Sequence, residues 1–185
     1  MMKELDQFVI TFKNVLPDNL SEQCLFHFEN REFEENTFTN PITGKVSNLS
    51  SNEPWVINEY NNEKLNSIIW QLVKHYIDYY KFPWFDSWSG FTLPRINKYE
   101  NNQNMASHCD RIKSMFDGER KGDPTLSVLG LFDTEFEGGD LIMFEDVKYD
   151  FKPKDVMIFP STFMYPHYVE PVTNGTRISF VSWVW

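Results

Sequence analysis

The stretch NMASHCDRIK, residues 104–113, places a histidine and a carboxylate one residue apart. In an extended strand, residues i and i+2 point to the same side, so His108 and Asp110 would direct an imidazole nitrogen and a carboxylate oxygen at one point. Two histidines and one carboxylate on one face suit Fe(II) with open coordination positions. His108 and Asp110 would therefore supply two of the three ligands of such a face, and the prediction depends on a third ligand.

Three other histidines compete for the third position. His27 and His75 fall in two predicted helices, where an ordinary surface or packing role is the simpler interpretation. His167 follows Pro166 at the start of a predicted strand. That strand comes late enough in the chain to return beside the strand that carries His108, as strands of a jelly roll do. The sequence therefore favours His167.

A candidate anion site follows His167. Arg177 comes ten residues later, after the turn TNGT at 173–176, and a hairpin there would turn its side chain toward the same cavity. An arginine binds a carboxylate through two hydrogen bonds, and Ser179, on the same strand face, would donate a third. A ligand that bridges both sites needs a metal-chelating end and a carboxylate end. 2-Oxoglutarate fits that description.

Size, charge and cysteine content narrow the class of protein. The chain has 185 residues, of which 41% are hydrophobic, which suffices for one domain with a sizeable core. Its formal net charge of −10 disfavours non-specific binding to nucleic acid. The sequence has no apolar run of the roughly 20 residues that span a bilayer, and its start does not resemble a signal peptide. Cys24 and Cys109 fit a reducing compartment, so we expect a cytoplasmic protein with no membrane partner.

Hydrophobic periodicity predicts helices and one strand in the first part of the chain. Phe8, Ile10 and Phe12 alternate as in a strand, and a helix is expected after Pro17. Residues 31–58 are polar and predict a surface segment with little regular structure. The stretch 61–82 has apolar residues at helical spacing, which predicts an amphipathic helix.

From about residue 87 the pattern changes to short apolar strands separated by turns. The candidate strands are FTLPRINKYE (91–100), ASHCD (106–110), LSVLGLF (126–132), DLIMFE (140–145), YDFKP (149–153), DVMIFP (155–160), HYVEPV (167–172) and RISFVSWVW (177–185). This spacing is typical of a sandwich or jelly roll. We predict an α+β, mainly β fold. It would form a single domain over 1–185, with helical support over about 1–86 and a jelly-roll core over about 87–185.

Four segments taken in order resemble a known family: KYENNQNMASHCD (98–110), EGGDL (137–141), DVMIFPS (155–161) and PHYVEPVTNGTRISFVSW (166–183). The set is similar to the Fe(II)/2-oxoglutarate-dependent dioxygenases, and within them to the prolyl 4-hydroxylase-like group. The resemblance covers about residues 92–185 and extends weakly to the first strand and helix. Each segment is a weak signal alone, and their joint order is specific. The resemblance implies a double-stranded β-helix, which is a distorted jelly roll.

The resemblance also implies roles for individual residues. His108, Asp110 and His167 would be the iron ligands, and Arg177 would pair with the distal carboxylate of 2-oxoglutarate. Fe(II), 2-oxoglutarate and O2 are the implied cofactors, and the family's chemistry allows ascorbate. The arginine differs from the lysine usual in collagen-type enzymes, and Asp110 argues against the related halogenases, which lack this carboxylate.

Further positions match the cosubstrate pocket of the family. Tyr99 and Trp183 match aromatic residues of that pocket, with core packing as the alternative. Met105 stands where many relatives have a second tyrosine, so a hydroxyl contact is lost there. Ser179 would contact the cosubstrate or merely face a neighbouring strand. Leu131 and Leu141 are further candidates, for which plain core packing is the simpler interpretation.

The leading functional hypothesis is a hydroxylase that acts on a prolyl residue of a protein or peptide. The alternatives are an AlkB-type nucleic-acid oxygenase, a hydroxylase of free amino acids or small molecules, and a non-catalytic binding module. The charge and the lack of a second nearby arginine disfavour the AlkB type. The segment 111–123 reads equally as a solvated loop or a substrate lid. YYKFPWFDSWSGF (79–91) reads as core or as a substrate groove. The sequence does not reveal the oligomeric state.

Overall fold

The computed structural model describes residues 2–39, 46–48, 52–82, 89–110 and 123–185. Its helices are α1 (Met2–Asp6), α2 (Asp18–Glu29) and α3 (Glu63–Tyr80). The first strands are β1 (Ile10–Phe12), β2 (Glu34–Glu35), β3 (Thr37–Thr39), β4 (Val46–Asn48), β5 (Trp55–Ile57), β6 (Arg95–Tyr99) and β7 (Met105–His108). The remaining strands are β8 (Leu126–Leu131), β9 (Phe136–Gly138), β10 (Leu141–Met143), β11 (Val147–Lys148), β12 (Val156–Pro160), β13 (His167–Val169), β14 (Val172–Gly175) and β15 (Arg177–Val184).

Two antiparallel sheets form the core of the described structure. The larger sheet has the order β1-β12-β8-β15-β6-β5-β2, and the smaller sheet has the order β11-β10-β13-β7. Two strand pairs, β14 with β9 and β3 with β4, lie outside them. Apart from the β10–β11 hairpin, neighbours in each sheet come from distant parts of the chain, as in a jelly roll. The predicted fold class, mainly β with helices in the first third, is confirmed.

Helices α2 and α3 cover the outer face of the larger sheet. Asn62 begins α3 by accepting a hydrogen bond from the Leu65 backbone N–H at 3.0 Å, and Lys81, in the left-handed conformation at φ 48°, ends it. Leu65, Ile69 and Val73 are fully buried in a cluster with outward-facing side chains of the sheet. This stripe confirms the predicted amphipathic helix and supplies the main apolar core.

A second apolar cluster fills the space between the two sheets. Met143 on the smaller sheet and Met157 and Phe159 on the larger sheet are fully buried in it. Alternation along β12 explains the division, because Val156 and Ile158 belong to the helix-facing cluster instead. The cluster closes the space between the sheets at one side of the candidate site.

Two features of the chain differ from the sequence-based expectation. The sequence predicts irregular surface over 31–58, and this prediction is wrong at β5. Val56 of that strand is only 1% exposed and pairs with Asn97 of β6. The strand predicted at 149–153 is also wrong. Tyr149 and Phe151 alternate with polar residues because their side chains pack on the second cluster. The strand that pairs with β10 is instead β11.

The first third therefore does more than provide helices. Strand β1 forms one edge of the larger sheet, and β5 and β2 extend its other edge. Within the described residues, no helix combines the length and apolarity needed to cross a lipid bilayer. The expectation of a cytoplasmic location stays a prediction.

Candidate metal centre

Strand pairing brings the three predicted ligands together. His167 on β13 is the register partner of His108 on β7, and Asp110 follows β7 by two residues. Asp110 Oδ1 lies 3.4 Å from His108 Nε2 and 3.7 Å from His167 Nε2. One candidate ligand atom from each residue lies within 4.8 Å of the other two. The arrangement can hold one metal ion.

Backbone contacts orient both imidazoles. His108 Nδ1 lies 2.8 Å from the Ala106 carbonyl oxygen, and His167 Nδ1 lies 3.1 Å from the Tyr165 carbonyl oxygen. A nitrogen that faces a carbonyl carries the proton, so each Nδ1–H donates and each Nε2 keeps its lone pair. Both lone pairs are then available on the side where Asp110 lies. This is the usual way in which a neighbouring acceptor prepares a histidine for a metal.

The electrostatics of the three groups favour a divalent cation. Burial would raise the pKa of Asp110, but the positive charges that His167 and His108 can carry outweigh it and hold this pKa well below its usual range. Burial lowers the pKa of His167, which favours the neutral imidazole that a metal requires. Burial also acts to lower the pKa of His108, but the Asp110 carboxylate outweighs it and raises this pKa. Asp110 Oδ2 is buried without a hydrogen-bond partner in the described structure, so the carboxylate has unused acceptor capacity.

Arg177 is a buried cation in the same cavity. Its side chain is 2% exposed, its guanidinium lies 4.9 Å from the centre of the Tyr99 ring, and Nη1 donates to Ser179 Oγ at 2.9 Å. Nε has no hydrogen-bond partner among the described residues. Burial lowers the pKa of Arg177, but arginine stays protonated in proteins. A buried guanidinium with unused donors is suited to bind an anion.

A glycine turn makes room for Arg177. Gly138 and Gly139 have φ values of 71° and 64°, as expected for the GG turn of EGGDL. A Cβ on Gly139 would lie 2.8 Å from Arg177 Cδ and 3.1 Å from Val172 Cγ2. The glycine is therefore required both by its backbone conformation and by the close approach of the guanidinium stem.

The ligands and Arg177 line one cavity of about 490 Å³. The predicted pocket residues that also line it are Tyr99, Met105, Leu141, Ser179 and Trp183. Leu131 is buried at the end of β8 and does not line the cavity, whereas Leu129 does. Ser179 accepts a hydrogen bond from Arg177, which leaves its own hydroxyl proton available for a ligand.

Other lining residues were not predicted from the sequence. Arg95 and Asn97 precede Tyr99 on the same face of β6, so strand alternation from Tyr99 would have indicated them. Asn36 and Glu53 come from the segment that was expected to be irregular surface. No local signal marks these two, because their neighbours in space lie on distant strands.

The remaining histidines lie elsewhere. His27 is exposed on α2 beside the Tyr60 ring, and His75 is exposed on α3 beside the Phe12 ring. Neither lines the cavity, as expected. The lid interpretation of 111–123 depends on residues 111–122, which lie outside the described residues. The same is true of residues 83–88 in the groove interpretation.

Comparison with known proteins places this geometry in a family. The family model described as the 2OG-Fe(II) oxygenase superfamily matches residues 94–185. This half of the chain belongs to the 2OG-Fe(II) oxygenase superfamily. A PKHD-type hydroxylase from Crocosphaera subtropica is 32% identical over 95 residues, which are 49% of this chain and 41% of that protein. The chain thus spans less than half of the length of that relative.

Two solved structures share the fold of this chain. A viral collagen prolyl hydroxylase from Paramecium bursaria Chlorella virus 1, in complex with 2OG, has a TM-score of 0.66 and 14% identity, over 96% of this chain and 94% of that one. A Trichoplax adhaerens prolyl hydroxylase, in complex with a hypoxia inducible factor peptide fragment, has a TM-score of 0.65 and 17% identity, over 99% of this chain and 86% of that one. The predicted prolyl hydroxylase-like jelly roll is confirmed.

The family membership also bears on the cofactors. Fe(II), 2-oxoglutarate and O2 are the cofactors that the superfamily implies, and the His–Asp–His set is able to bind the metal. The family and its hydroxylase relatives support the predicted dioxygenase class of enzyme. A requirement for ascorbate stays a prediction.

Proposed function

We propose that this protein is an Fe(II)- and 2-oxoglutarate-dependent hydroxylase that acts on a prolyl residue of a protein or peptide. The observation that carries the proposal is the placement of a three-ligand metal face and a buried arginine in one cavity. A metal face alone would suit several reactions. A carboxylate-binding arginine beside it is suited to 2-oxoglutarate, which has a chelating 2-oxo acid end and a second carboxylate.

In this proposal His108, Asp110 and His167 hold the iron. When bound, Fe(II) with 2-oxoglutarate and O2 supplies the oxidising chemistry that converts a substrate C–H to C–OH and releases succinate and CO2. The two imidazoles contribute neutral nitrogen ligands through Nε2, because both Nδ1–H groups face carbonyl oxygens. Asp110 contributes one negative charge, which partly neutralises the metal.

Arg177 and its neighbours would orient the cosubstrate. The guanidinium, held by the Tyr99 ring and Ser179, pairs with the distal carboxylate. Ser179 donates its hydroxyl proton to the same group. Burial raises the pKa of Tyr99 to about 12, so its phenol stays protonated at neutral pH. The apolar residues Met105, Leu141 and Trp183 reduce the access of water to the reacting atoms.

Two lines support a prolyl residue in a peptide as the substrate. The solved structures with this fold include prolyl hydroxylases, one of them with a bound peptide fragment. The net charge of −10 disfavours a nucleic-acid substrate. The complete set of three ligands and the arginine disfavours a module that only binds.

We infer a cytoplasmic location from the sequence alone.

A direct assay of the product tests the proposal. The wild type is incubated with Fe(II), 2-oxoglutarate and O2 together with a pool of proline-containing peptides, and mass spectrometry locates the added oxygen. We expect one oxygen atom on a prolyl residue and one succinate for each product. Oxidation of free L-proline or of a methylated oligonucleotide, without oxidation of any peptide, would contradict the proposed substrate class.

A further inference from the structure

One wall of the cavity carries polar groups other than the predicted metal ligands and Arg177. Glu53, just before β5, and Arg95, on β6, both line the cavity, and Asn36 links them. Arg95 Nη2 donates to Asn36 Oδ1 at 2.6 Å, and Asn36 Nδ2 donates to Glu53 Oε2 at 3.0 Å. Asn97, two residues after Arg95 on the same strand face, also lines the cavity. We call these four residues the polar wall.

The polar wall has unused hydrogen-bonding capacity. Glu53 and Asn97 are each 7% exposed, yet Glu53 Oε1 and Asn97 Oδ1 accept no hydrogen bond within the described structure. Arg95 Nε likewise has no acceptor there. Buried polar atoms in native proteins nearly always have a partner, so a cluster of exceptions requires an explanation. The missing partners are two donors and one acceptor.

Two of the four residues of the polar wall also lie outside the part of the chain that matches the superfamily. Asn36 and Glu53 precede the matched residues 94–185, and they reach the cavity because β2 and β5 extend the larger sheet beyond β6. The Asn36 bridge fixes one side of both charged groups and leaves Glu53 Oε1 and Arg95 Nε to other partners. Residues supplied by an added sheet edge are well placed to recognise a substrate rather than to perform the shared chemistry.

We propose that the polar wall binds the main chain of an extended peptide substrate. Glu53 and Asn97 accept main-chain N–H groups, and Arg95 donates to a main-chain carbonyl. A residue in extended conformation presents its N–H and C=O on the same edge, as in an antiparallel pair. The opposite charges of Glu53 and Arg95 are coupled through Asn36, so the wall as a whole matches a neutral amide. This inference rests on the proposed hydroxylase function and assigns the recognition of its substrate to these residues.

The test uses peptides whose common feature is the main chain. The probe is a mixed pool of acetylated, amidated pentapeptides with proline at the centre, and the readout is succinate formation above the level without peptide. The variants are Glu53→Gln, Arg95→Lys and Asn97→Ala. The matched control is Glu100→Gln, because Glu100 is exposed, pairs with Lys98 at 3.1 Å and does not line the cavity.

We expect the Michaelis constants for the peptide pool and for 2-oxoglutarate to separate. Glu53→Gln and Arg95→Lys should raise the KM for the pool about tenfold or more, and Asn97→Ala about fivefold, the ratios expected for lost hydrogen bonds to charged and neutral groups. The KM for 2-oxoglutarate should change less than about twofold in each variant, because Arg177 sets it. Arg177→Ala should instead raise the KM for 2-oxoglutarate and leave the KM for the peptide pool nearly unchanged.

Asn97→Ala distinguishes recognition from a structural role. Its Oδ1 has no partner within the described structure, so its removal should leave the melting temperature unchanged or higher while the KM for the pool rises. A lower melting temperature with an unchanged KM would mean that the polar wall only supports the sheet edge. That result would overturn the inference and leave the proposed function intact.

Two other outcomes would also overturn it. If free L-proline stimulates succinate formation as well as the pool does, and the variants weaken both, the polar wall binds an amino-acid zwitterion instead of a main chain. If the wild type binds Fe(II) and 2-oxoglutarate but no peptide stimulates it, the proposed peptide substrate fails as well. The comparison of wild type with variants therefore separates failure of the inference from failure of the proposed function.

Discussion

Along β6 and β15, the two faces of the larger sheet carry different kinds of side chain. On β6, Ile96 faces the helices whereas Asn97 and Tyr99 line the cavity; on β15, Ile178 faces the helices whereas Arg177 lines the cavity. The alternation is the ordinary period of a strand, here in two strands that face the apolar helix-side core with one side and the cavity with the other. On either strand, a side chain that packs in the core and a side chain that lines the cavity stand at adjacent positions in the sequence.

This difference assigns stability and ligand binding to opposite faces of the sheet. The helix-facing side buries apolar surface, which stabilises the protein. The cavity side buries polar atoms that have no partner in the described structure, including Arg177 Nε, Asp110 Oδ2 and Asn97 Oδ1. Each such atom costs on the order of 1–3 kcal/mol. We therefore expect substitutions on the two faces to have separable effects, and the predictions below test that separation.

The largest effect should follow from removal of a metal ligand. His167→Ala removes a buried imidazole, so turnover should fall by more than the ~10–100-fold typical for the loss of an outer partner of a metal ligand. Succinate formation with saturating peptide measures it. His75→Ala is the control, since this histidine is exposed on α3, and equal losses in the two variants would refute the ligand assignment.

A substitution on the helix-facing side should affect stability instead. Ile69→Ala on α3 removes a fully buried side chain and should lower the free energy of unfolding by about 2–5 kcal/mol. Urea denaturation measures the change. The fraction that remains folded should keep the wild-type KM for 2-oxoglutarate. A change of that KM without a change of stability would break the separation of the two faces.

Arg177→Met should act on cosubstrate binding. Loss of a buried charge pair should raise the KM for 2-oxoglutarate about 30-fold or more. 2-Oxobutanoate, which lacks the distal carboxylate, provides the test of mechanism. The wild type should bind 2-oxobutanoate poorly, and the Arg177→Met substitution should weaken that binding little further. An equal loss for both compounds would show that Arg177 does not contact the distal carboxylate.

The smallest effect is expected at Ser179. Ser179→Ala removes one hydrogen-bond partner of Arg177 and one donor to the cosubstrate, so the KM for 2-oxoglutarate should rise about fivefold. The turnover number should stay near that of the wild type. A fall in turnover with an unchanged KM would place Ser179 at the reacting atoms instead of at the distal carboxylate.

The three candidate metal ligands were predictable from the sequence because their signal is largely local. The spacing of His108 and Asp110 orients both side chains, and the order of His167 and Arg177 along the chain follows from the return of later strands. Strand alternation from Tyr99 would also have indicated Asn97 and Arg95. Residues that meet only through the sheet edge are different. Asn36 and Glu53 lie in a polar segment whose pairing with distant strands leaves no local pattern.

The misplaced strand has a similar physical reason. The hairpin between β10 and β11 turns through Phe144 and Glu145, which have φ values of 54° and 76° without being glycines. Asp146 is the one residue in this turn that is typical of turns, which is a weak signal, so the prediction placed the next strand too late. Leu131 was a pocket candidate for which core packing was the simpler interpretation, and the structure buries it outside the cavity, which Leu129 lines instead.

An anaerobic titration with Fe(II) and 2-oxoglutarate tests whether this cavity binds the metal and the cosubstrate together. The chelate of the two has a weak visible charge-transfer band, which reports the metal face and the cosubstrate together. We predict the band in the wild type and a clearly weaker band at the same concentrations in both Asp110→Ala and Arg177→Ala. A folded wild type without the band, or a band of equal strength in both variants, would contradict the assignment of this cavity.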